Sequence, residues 1–328
     1  MKCLIVQPIH EQGLAMLRTA GITCITPKSA SMQDVANAIR DCDAVITRNA
    51  GLNTLAIESA PKLRIIGSHG AGTNAIDLGS AERLGIPVVN TPGANARSVA
   101  ELALSMMLAL VKRTVALDQA VRNGNWDARY EPGLYELSGM SLGIVGFGQI
   151  GRLLARMAAG GFGMTVRVYS PSVAPREIIA DGFEVVDSLA DVVSQVDILS
   201  LHRPSRAGTA PLLTDALLAS MKPGALVINT ARGDLIDEEA LKRHLKSGQI
   251  GGAGLDVFSQ EPPPDDSPLL HMSQVVLAPH AGGSTEQALA RTARAVASQV
   301  IEVLQDQCPA HLVIPSVWGR RRGIRPQP

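Results

Sequence analysis

Short apolar runs recur along the chain, separated by longer stretches that mix apolar and polar positions. In the first hundred residues the runs at 3–6, 22–26, 44–47, 63–67 and 87–89 are bounded by turn residues and read as buried strands. The stretches between them, at 10–20, 31–40, 53–59 and 78–84, read as helices. Ser31 suits an N-cap, and Gly21, Pro61 and Gly85 act as stops. The same beat returns after residue 140. Strands are expected at 142–145, 164–169, 183–186, 196–201, 225–229, 252–257 and 275–277, and helices at 152–159, 189–193, 215–221, 238–247 and 285–304. Strands alternating with helices at this spacing argue for an α/β class on parallel, doubly wound sheets. The 328 residues suffice for two such domains at roughly 150 residues each. Between the halves, residues 99–113 are apolar on nearly every face, which predicts a helix buried between layers or between subunits. Residues 95–98 read as a hinge and 123–139 as a surface loop.

The stretch 141–170 organises the second half. An apolar strand runs into Gly146-Phe147-Gly148-Gln149-Ile150-Gly151, then into a helix with Gly160 and Gly161 as its stop, then into a second strand. In that setting G-x-G-x-x-G is a dinucleotide fingerprint. Gly146 permits the tight turn, Gly148 lets backbone approach a pyrophosphate, and Gly151 lets the helix lie close on the strand. Amides at the helix start, with the positive end of its dipole, suit the phosphates.

Composition changes this picture little. Lys+Arg and Asp+Glu both number 30, so neither nucleic acid nor an anionic membrane is expected as a partner. No apolar run approaches the ~18 residues of a membrane span, and no leader-like segment opens the chain, so the cytoplasm is the expected location. Cys3, Cys24, Cys42 and Cys308 show no metal or C-x-x-C spacing; they read as reduced thiols, with no metal site.

Ligands of a doubly wound sheet bind outside the carboxyl ends of its strands. The polar residues at those ends in the second half are Ser170, His202, Arg232, Asp256, Glu261 and His280. A guanidinium suits bidentate binding of a carboxylate, and an imidazole suits proton transfer near neutral pH. Beside a nicotinamide such a set permits hydride transfer to a carbonyl.

Motifs along most of the chain carry a resemblance. They are Gly70-Ala71-Gly72 with Asn74 and Asp77, TPGANARSVAEL at 91–102, LGIVGFGQIGR at 142–152, INTARGDLIDEEAL at 228–241, GLDVFSQEPP at 254–263 and PHAGGST at 279–285. With them the chain resembles the D-isomer-specific 2-hydroxyacid dehydrogenases, in the branch of phosphoglycerate dehydrogenase and hydroxypyruvate/glyoxylate reductase. The resemblance implies two Rossmann-like α/β domains with a cleft between them. It implies a discontinuous substrate domain at 1–96 plus 285–318 and a dinucleotide domain at 97–284. The basic, proline-rich residues 319–328 read as a flexible tail. Arg232 would bind the substrate's carboxylate and carbonyl oxygen, His280 would be the general acid and base, and Glu261 would pair with His280 and raise its pKa. Gly70, Ala71 and Gly72 would help hold the carboxylate, with Arg48 and His69 beside them. Gly146, Gly148, Gln149, Ile150, Gly151, Ser170, His202, Pro204, Thr230, Ala231, Arg232, Asp256, His280 and Gly282 would line the cofactor. In that set the Gln149 and Ile150 amides meet the pyrophosphate and Asp256 meets the nicotinamide carboxamide. The implied partners are NAD or NADP, a small 2-oxo or 2-hydroxy acid, and a second copy of the chain.

The sequence departs from the family where the cofactor is chosen. The usual Tyr-Asp-Pro after the second strand is Tyr169-Ser170-Pro171, so the carboxylate that binds the ribose is missing. No Arg follows directly; Arg167 and Arg176 are the nearest cations considered, and the reading leans towards NADP. His69 precedes the carboxylate-binding glycines, where it either favours a polar substituent on the substrate or serves packing. No regulatory domain follows Trp318, so serine-type feedback is not expected. Two other readings are a dinucleotide-sensing regulatory protein on the same fold and a formate dehydrogenase. The Glu at 261, where formate dehydrogenases carry Gln, opposes the latter.

Overall fold

The computed structural model describes residues 1–205 and 210–323. The chain divides into two compact units, one of residues 1–95 with those from 283 on, the other Ala96–Gly282.

The first unit begins with β1 (Lys2–Ile5), α1 (Glu11–Thr19), β2 (Thr23–Ile25), α2 (Met32–Ala38), β3 (Ala44–Thr47), α3 (Thr54–Glu58), β4 (Ile65–Ser68), α4 (Leu78–Arg83) and β5 (Val88–Val89). All pairings are parallel, in the order β2-β1-β3-β4-β5. Ser31, Asn53 and Asp77 cap α2, α3 and α4 by accepting the amides of Asp34, Ala56 and Ser80. Each such cap contributes about 1 kcal/mol. One sheet face buries Leu4, Val45 and Ile66 with Ile57 of α3; the other buries Ile5, Ile46 and Ile65. The strand order reverses direction between β1 and β3. The loops after those strands therefore open a crevice at the carboxyl edge.

The second unit runs α5 (Ala96–Val111), α6 (Thr114–Arg122), β6 (Ser141–Val145), α7 (Gln149–Phe162), β7 (Thr165–Tyr169), α8 (Pro175–Ala180), β8 (Glu184–Val185), α9 (Leu189–Gln195), β9 (Ile198–Leu201), α10 (Asp215–Ser220), β10 (Ala225–Asn229), α11 (Glu238–Ser247), β11 (Ile250–Leu255) and β12 (Val275–Leu277). Its seven strands are parallel in the order β12-β11-β10-β9-β6-β7-β8, with the switch point between β6 and β9. The strands end level with one another. Tyr169 pairs with Val145, Val145 with Leu201, Leu201 with Asn229, Asn229 with Leu255 and Leu255 with Leu277. Ser170, Gly146, His202, Thr230, Asp256 and Ala278, one step further on, therefore form a row across the carboxyl edge.

Three elements differ from the sequence reading. The helix after the fingerprint does not stop at Gly160 and Gly161; α7 passes through both and closes on Gly163 at φ 64. A Cβ on either glycine would meet nothing within 4 Å, so both lie on an open face. Two interior glycines cost roughly 1–2 kcal/mol together, and the burial of Leu154, Ala155 and Ala158 outweighs that. Residues 114–122 and 175–180, to which the sequence reading assigned no element, form α6 and α8. The apolar helix is α5. It buries Val99, Ala100, Ala103, Met106, Met107 and Val111 in this unit's own core, while Glu101 and Ser105 face solvent.

The first unit closes with α12 (Glu286–Leu304), capped by Thr285. It lies close on α1 and β4 because two small residues face it. A Cβ on Gly13 would stand 2.7 Å from the Ala293 carbonyl, and one on Gly67 2.6 Å from Val296 Cγ2. The start of the expected tail is held on this unit. Arg320 bonds Glu82, Arg321 stacks over Trp318 at 3.8 Å, and Arg322 reaches the carbonyl of Ala60 at 2.8 Å. Residues 324–328 lie outside the described residues. Among the described residues no helix is long and apolar enough to cross a membrane.

Candidate active site

In the second unit the glycine turn has the form its residues require. Gly146 adopts φ 100, and a Cβ there would stand 2.8 Å from both the His202 carbonyl and Arg203 Cγ. A Cβ on Gly151 would stand 2.3 Å from the Gly146 carbonyl, so α7 can seat this closely only on glycine. Gly148 has open space where its side chain would be. It is also the N-cap of α7 and offers no side-chain acceptor, whereas Ser188 and Asp237 cap α9 and α11. The amides of Gln149 and Ile150 are thus left for an external anion. Ser170 is buried beside the turn, its Oγ accepting the Phe147 amide at 3.1 Å. Arg167 is bound to Glu184 at 3.0 Å. Arg176 is exposed on α8.

Among the described residues, two polar atoms in the row of strand ends are buried without a partner, His202 Nδ1 and Thr230 Oγ1. Burial holds the His202 imidazole down to about 4, so it is neutral at pH 7; its Nε2 contacts Ser200 Oγ at 2.9 Å. Open glycines, free helix amides and unmatched polar atoms along one edge fit a dinucleotide. Pro204 and Ala231 stand one or two residues beyond the same ends.

The Arg, Glu and His that the sequence brought forward sit on the next loops. Asn229 fixes the loop after β10, accepting the Ala231 amide and donating to the Arg232 carbonyl. Arg232 follows, half-buried, with one guanidinium nitrogen on the Ala231 carbonyl at 2.6 Å. A Cβ on Gly233 would stand 1.9 Å from the Phe258 carbonyl, so this glycine brings the Arg232 loop against the loop that carries Glu261. Glu261 accepts the Phe258 amide through Oε1 and contacts His280 Nδ1 through Oε2 at 2.8 Å. A carboxylate only accepts, so Nδ1 carries the hydrogen there and Nε2 is left for exchange. His280 stands at φ 52, a left-handed conformation that costs a non-glycine residue about 1–2 kcal/mol.

Asp256 supports that conformation. Its backbone carbonyl accepts the His280 amide at 2.8 Å, and its carboxylate accepts the amides of Ala281 and Gly282 at 2.6 and 2.8 Å. Burial pushes its carboxyl above the usual range against those bonds. Ser98 of α5 donates to the Gly282 carbonyl. The sequence reading took Asp256 for a nicotinamide contact only. Its hold on the His280 turn was missed, as was the Arg203 stem lying on Gly146, because neither follows from spacing.

In the first unit, Arg48 ends β3 and His69 ends β4. Arg48 donates to the Pro8 carbonyl at 3.0 Å, and burial lowers its pKa. The His69 amide donates to Thr47, its Nε2 is buried without a partner among the described residues, and burial with the Arg48 charge holds the ring down to about 4. Asn90 and Ser68 take the carbonyls of Ala71 and Gly72 at 2.7 and 2.8 Å. Among the described residues the amides of Ala71 and Gly72 have no acceptor, which leaves a pair of donors beyond Gly70.

These features define an α/β dinucleotide-binding protein with an Arg, Glu and His set at the strand ends. The description "D-isomer specific 2-hydroxyacid dehydrogenase, NAD binding domain" matches residues 104–282. The chain is 38% identical to a glyoxylate reductase of Korarchaeum cryptofilum over 319 residues, 95% of each chain. It is 36% identical to a D-3-phosphoglycerate dehydrogenase of Methanocaldococcus jannaschii over 326 residues, 98% of this chain but 61% of that longer relative. The solved TT0316 protein of Thermus thermophilus superposes with a TM-score of 0.88 at 30% identity, over 96% of this chain and all of its own. The chain belongs to the D-isomer-specific 2-hydroxyacid dehydrogenases, a family of oxidoreductases with a nicotinamide-dinucleotide domain.

Proposed function

We propose that the chain reduces a small 2-oxo acid to its D-2-hydroxy acid, and catalyses the reverse, with NAD(P)H. The 2.8 Å contact between Glu261 and His280 Nδ1, at the edge that carries the dinucleotide cradle, is the observation that carries this reading. Bound reduced cofactor supplies the hydride. Arg232 presents the fork that binds the substrate carboxylate and polarises the carbonyl oxygen. His280 gives the proton on Nε2 to that oxygen, and Glu261 holds the ring in the required tautomer. The Gly70–Gly72 loop offers its amides to a carboxylate, with Arg48 and His69 shaping what else is admitted. Asp256 retains lone pairs for a nicotinamide carboxamide while it holds the His280 turn.

The substrate is of the glyoxylate or 3-phosphoglycerate type, as the relatives' names suggest, or of the hydroxypyruvate type, as the name of a solved glyoxylate/hydroxypyruvate reductase of the same fold suggests. The absence of a carboxylate at Ser170 leans the cofactor towards NADP. The active species is a homodimer in the cytoplasm. Val115, Val121, Trp126, Tyr130 and Tyr135 are exposed on α6 and the segment after it, Val115 and Tyr135 lining a hollow of about 940 Å³, and these apolar side chains support self-association.

A panel of 2-oxo acids with NADH and NADPH, run on His280→Ala beside wild type, tests the assignment, with light scattering for the mass of the active species. The variant is expected to lose turnover and keep dinucleotide binding. Undiminished turnover would refute the role of His280.

A further inference from the structure

Arg203 is a cation of the site that has neither a carboxylate nor a carbonyl partner among the described residues. It follows His202 at the end of β9 and is half-buried. Among the described residues it has no hydrogen bond and no ion pair. Arg152, Arg156 and Arg167, also in this unit, are held by Glu177, Asp181 and Glu184. The Arg203 stem lies on the first glycine of the turn, Cγ 2.8 Å from where a Cβ on Gly146 would stand. Its guanidinium is three bonds further on, within reach of whatever occupies that turn.

On the other side of Gly146 in the same row stands Ser170, which brings no negative charge and whose Oγ is taken by the Phe147 amide. A carboxylate there would repel a phosphate on the ribose and would itself neutralise a nearby guanidinium. Neither effect operates. The pyrophosphate has its own donors in the free amides at the start of α7, so the guanidinium is surplus to an unphosphorylated dinucleotide. A half-buried cation with no counterion is costly until a ligand supplies one, and the planar fork of Arg suits a phosphate dianion.

We propose that Arg203 binds the phosphate on the 2′-oxygen of the adenosine ribose, and that the enzyme accordingly selects NADPH over NADH. This rests on the dinucleotide reading above and puts Arg203 in place of Arg167, which Glu184 engages.

Equilibrium binding without substrate tests it, with NADPH and NADH titrated into wild type, Arg203→Gln, Arg203→Lys and Ser170→Asp. Wild type is expected to bind NADPH at least about tenfold more tightly than NADH, with the steeper salt dependence for NADPH. Arg203→Gln should weaken NADPH by about ten- to a hundredfold and leave NADH within about twofold. Arg203→Lys should retain part of the NADPH affinity. Ser170→Asp should weaken NADPH alone. Equal losses for both dinucleotides in Arg203→Gln would assign Arg203 to the pyrophosphate or to packing and overturn the proposal, as would a wild-type preference for NADH. If Arg203→Gln binds neither, equal salt slopes for the two dinucleotides in wild type overturn it and a steeper NADPH slope upholds it. Wild type that binds neither would sink the dinucleotide reading itself.

Discussion

Arg232 has one guanidinium nitrogen on the Ala231 carbonyl, no carboxylate partner among the described residues, and a backbone pinned by Asn229. The side chain is thereby placed without being neutralised. A Lys there would keep the charge but lose the two parallel N–H donors. Arg232→Lys is expected to lower kcat/KM by about 10²-fold, on the order of 3 kcal/mol, with dinucleotide binding unchanged. Steady-state kinetics beside a binding titration would show it, and a loss below about threefold would deny Arg232 its part in substrate binding. The neighbouring Gly233 shows what spacing hides. Its identity was plain, but the reason for it is the Phe258 carbonyl, which comes from another strand's loop.

Among the elements, α5 combines two tasks. Its apolar composition pointed to burial on several sides, and only Arg97, Glu101 and Ser105 are exposed, while the first turn performs a separate task. Through Ser98 it holds the Gly282 carbonyl, and with Asp256 it keeps His280 in a left-handed conformation. Ser98→Ala removes one buried hydrogen bond. It should cost about 1 kcal/mol in urea unfolding and lower kcat more than it raises the KM for the 2-oxo acid. Unchanged kcat would mean that the turn needs no support from α5. Strands and capped helices were legible in sequence, including β3, β10, α11 and β12 to the residue, because their apolar periods and caps are local signals. The stop of α7, and the existence of α6 and α8, were not. A glycine ends a helix only where left-handed backbone is required, and here that position is Gly163. Helix α6 fully buries none of its residues and half-buries only Ala116, Leu117 and Ala120, so its inward stripe is short.

At the scale of the whole molecule, each unit keeps one histidine neutral, His69 in the first and His202 in the second, both held down to about 4. An unfolded histidine titrates near 6.5. Between those values the unfolded chain binds protons that the folded chain refuses, so stability should fall as pH drops from about 6.5 to 4, by on the order of a few kcal/mol. Asp77, held at about 2 by Thr54 and Ser80, stays ionised throughout that window. Asp256, raised by burial, acts in the opposite sense. Urea unfolding at pH 7.5 and pH 5 reads the sum, and His202→Gln should flatten the slope. Equal stability at the two pH values would show that neither ring is held neutral.

The sequence alone determined the α/β class, the dinucleotide turn and the residue types at the strand ends. These depend on apolar period, on backbone freedom at glycine and on which side chains can carry charge. Only the tertiary structure decided how those ends are used. It levelled six strands so that residues up to about 130 positions apart stand in one row, turned the Ser170 oxygen to the Phe147 amide and laid Arg203 on Gly146. Contacts of that kind arise from register and close approach between distant segments, and no local pattern in a chain encodes them.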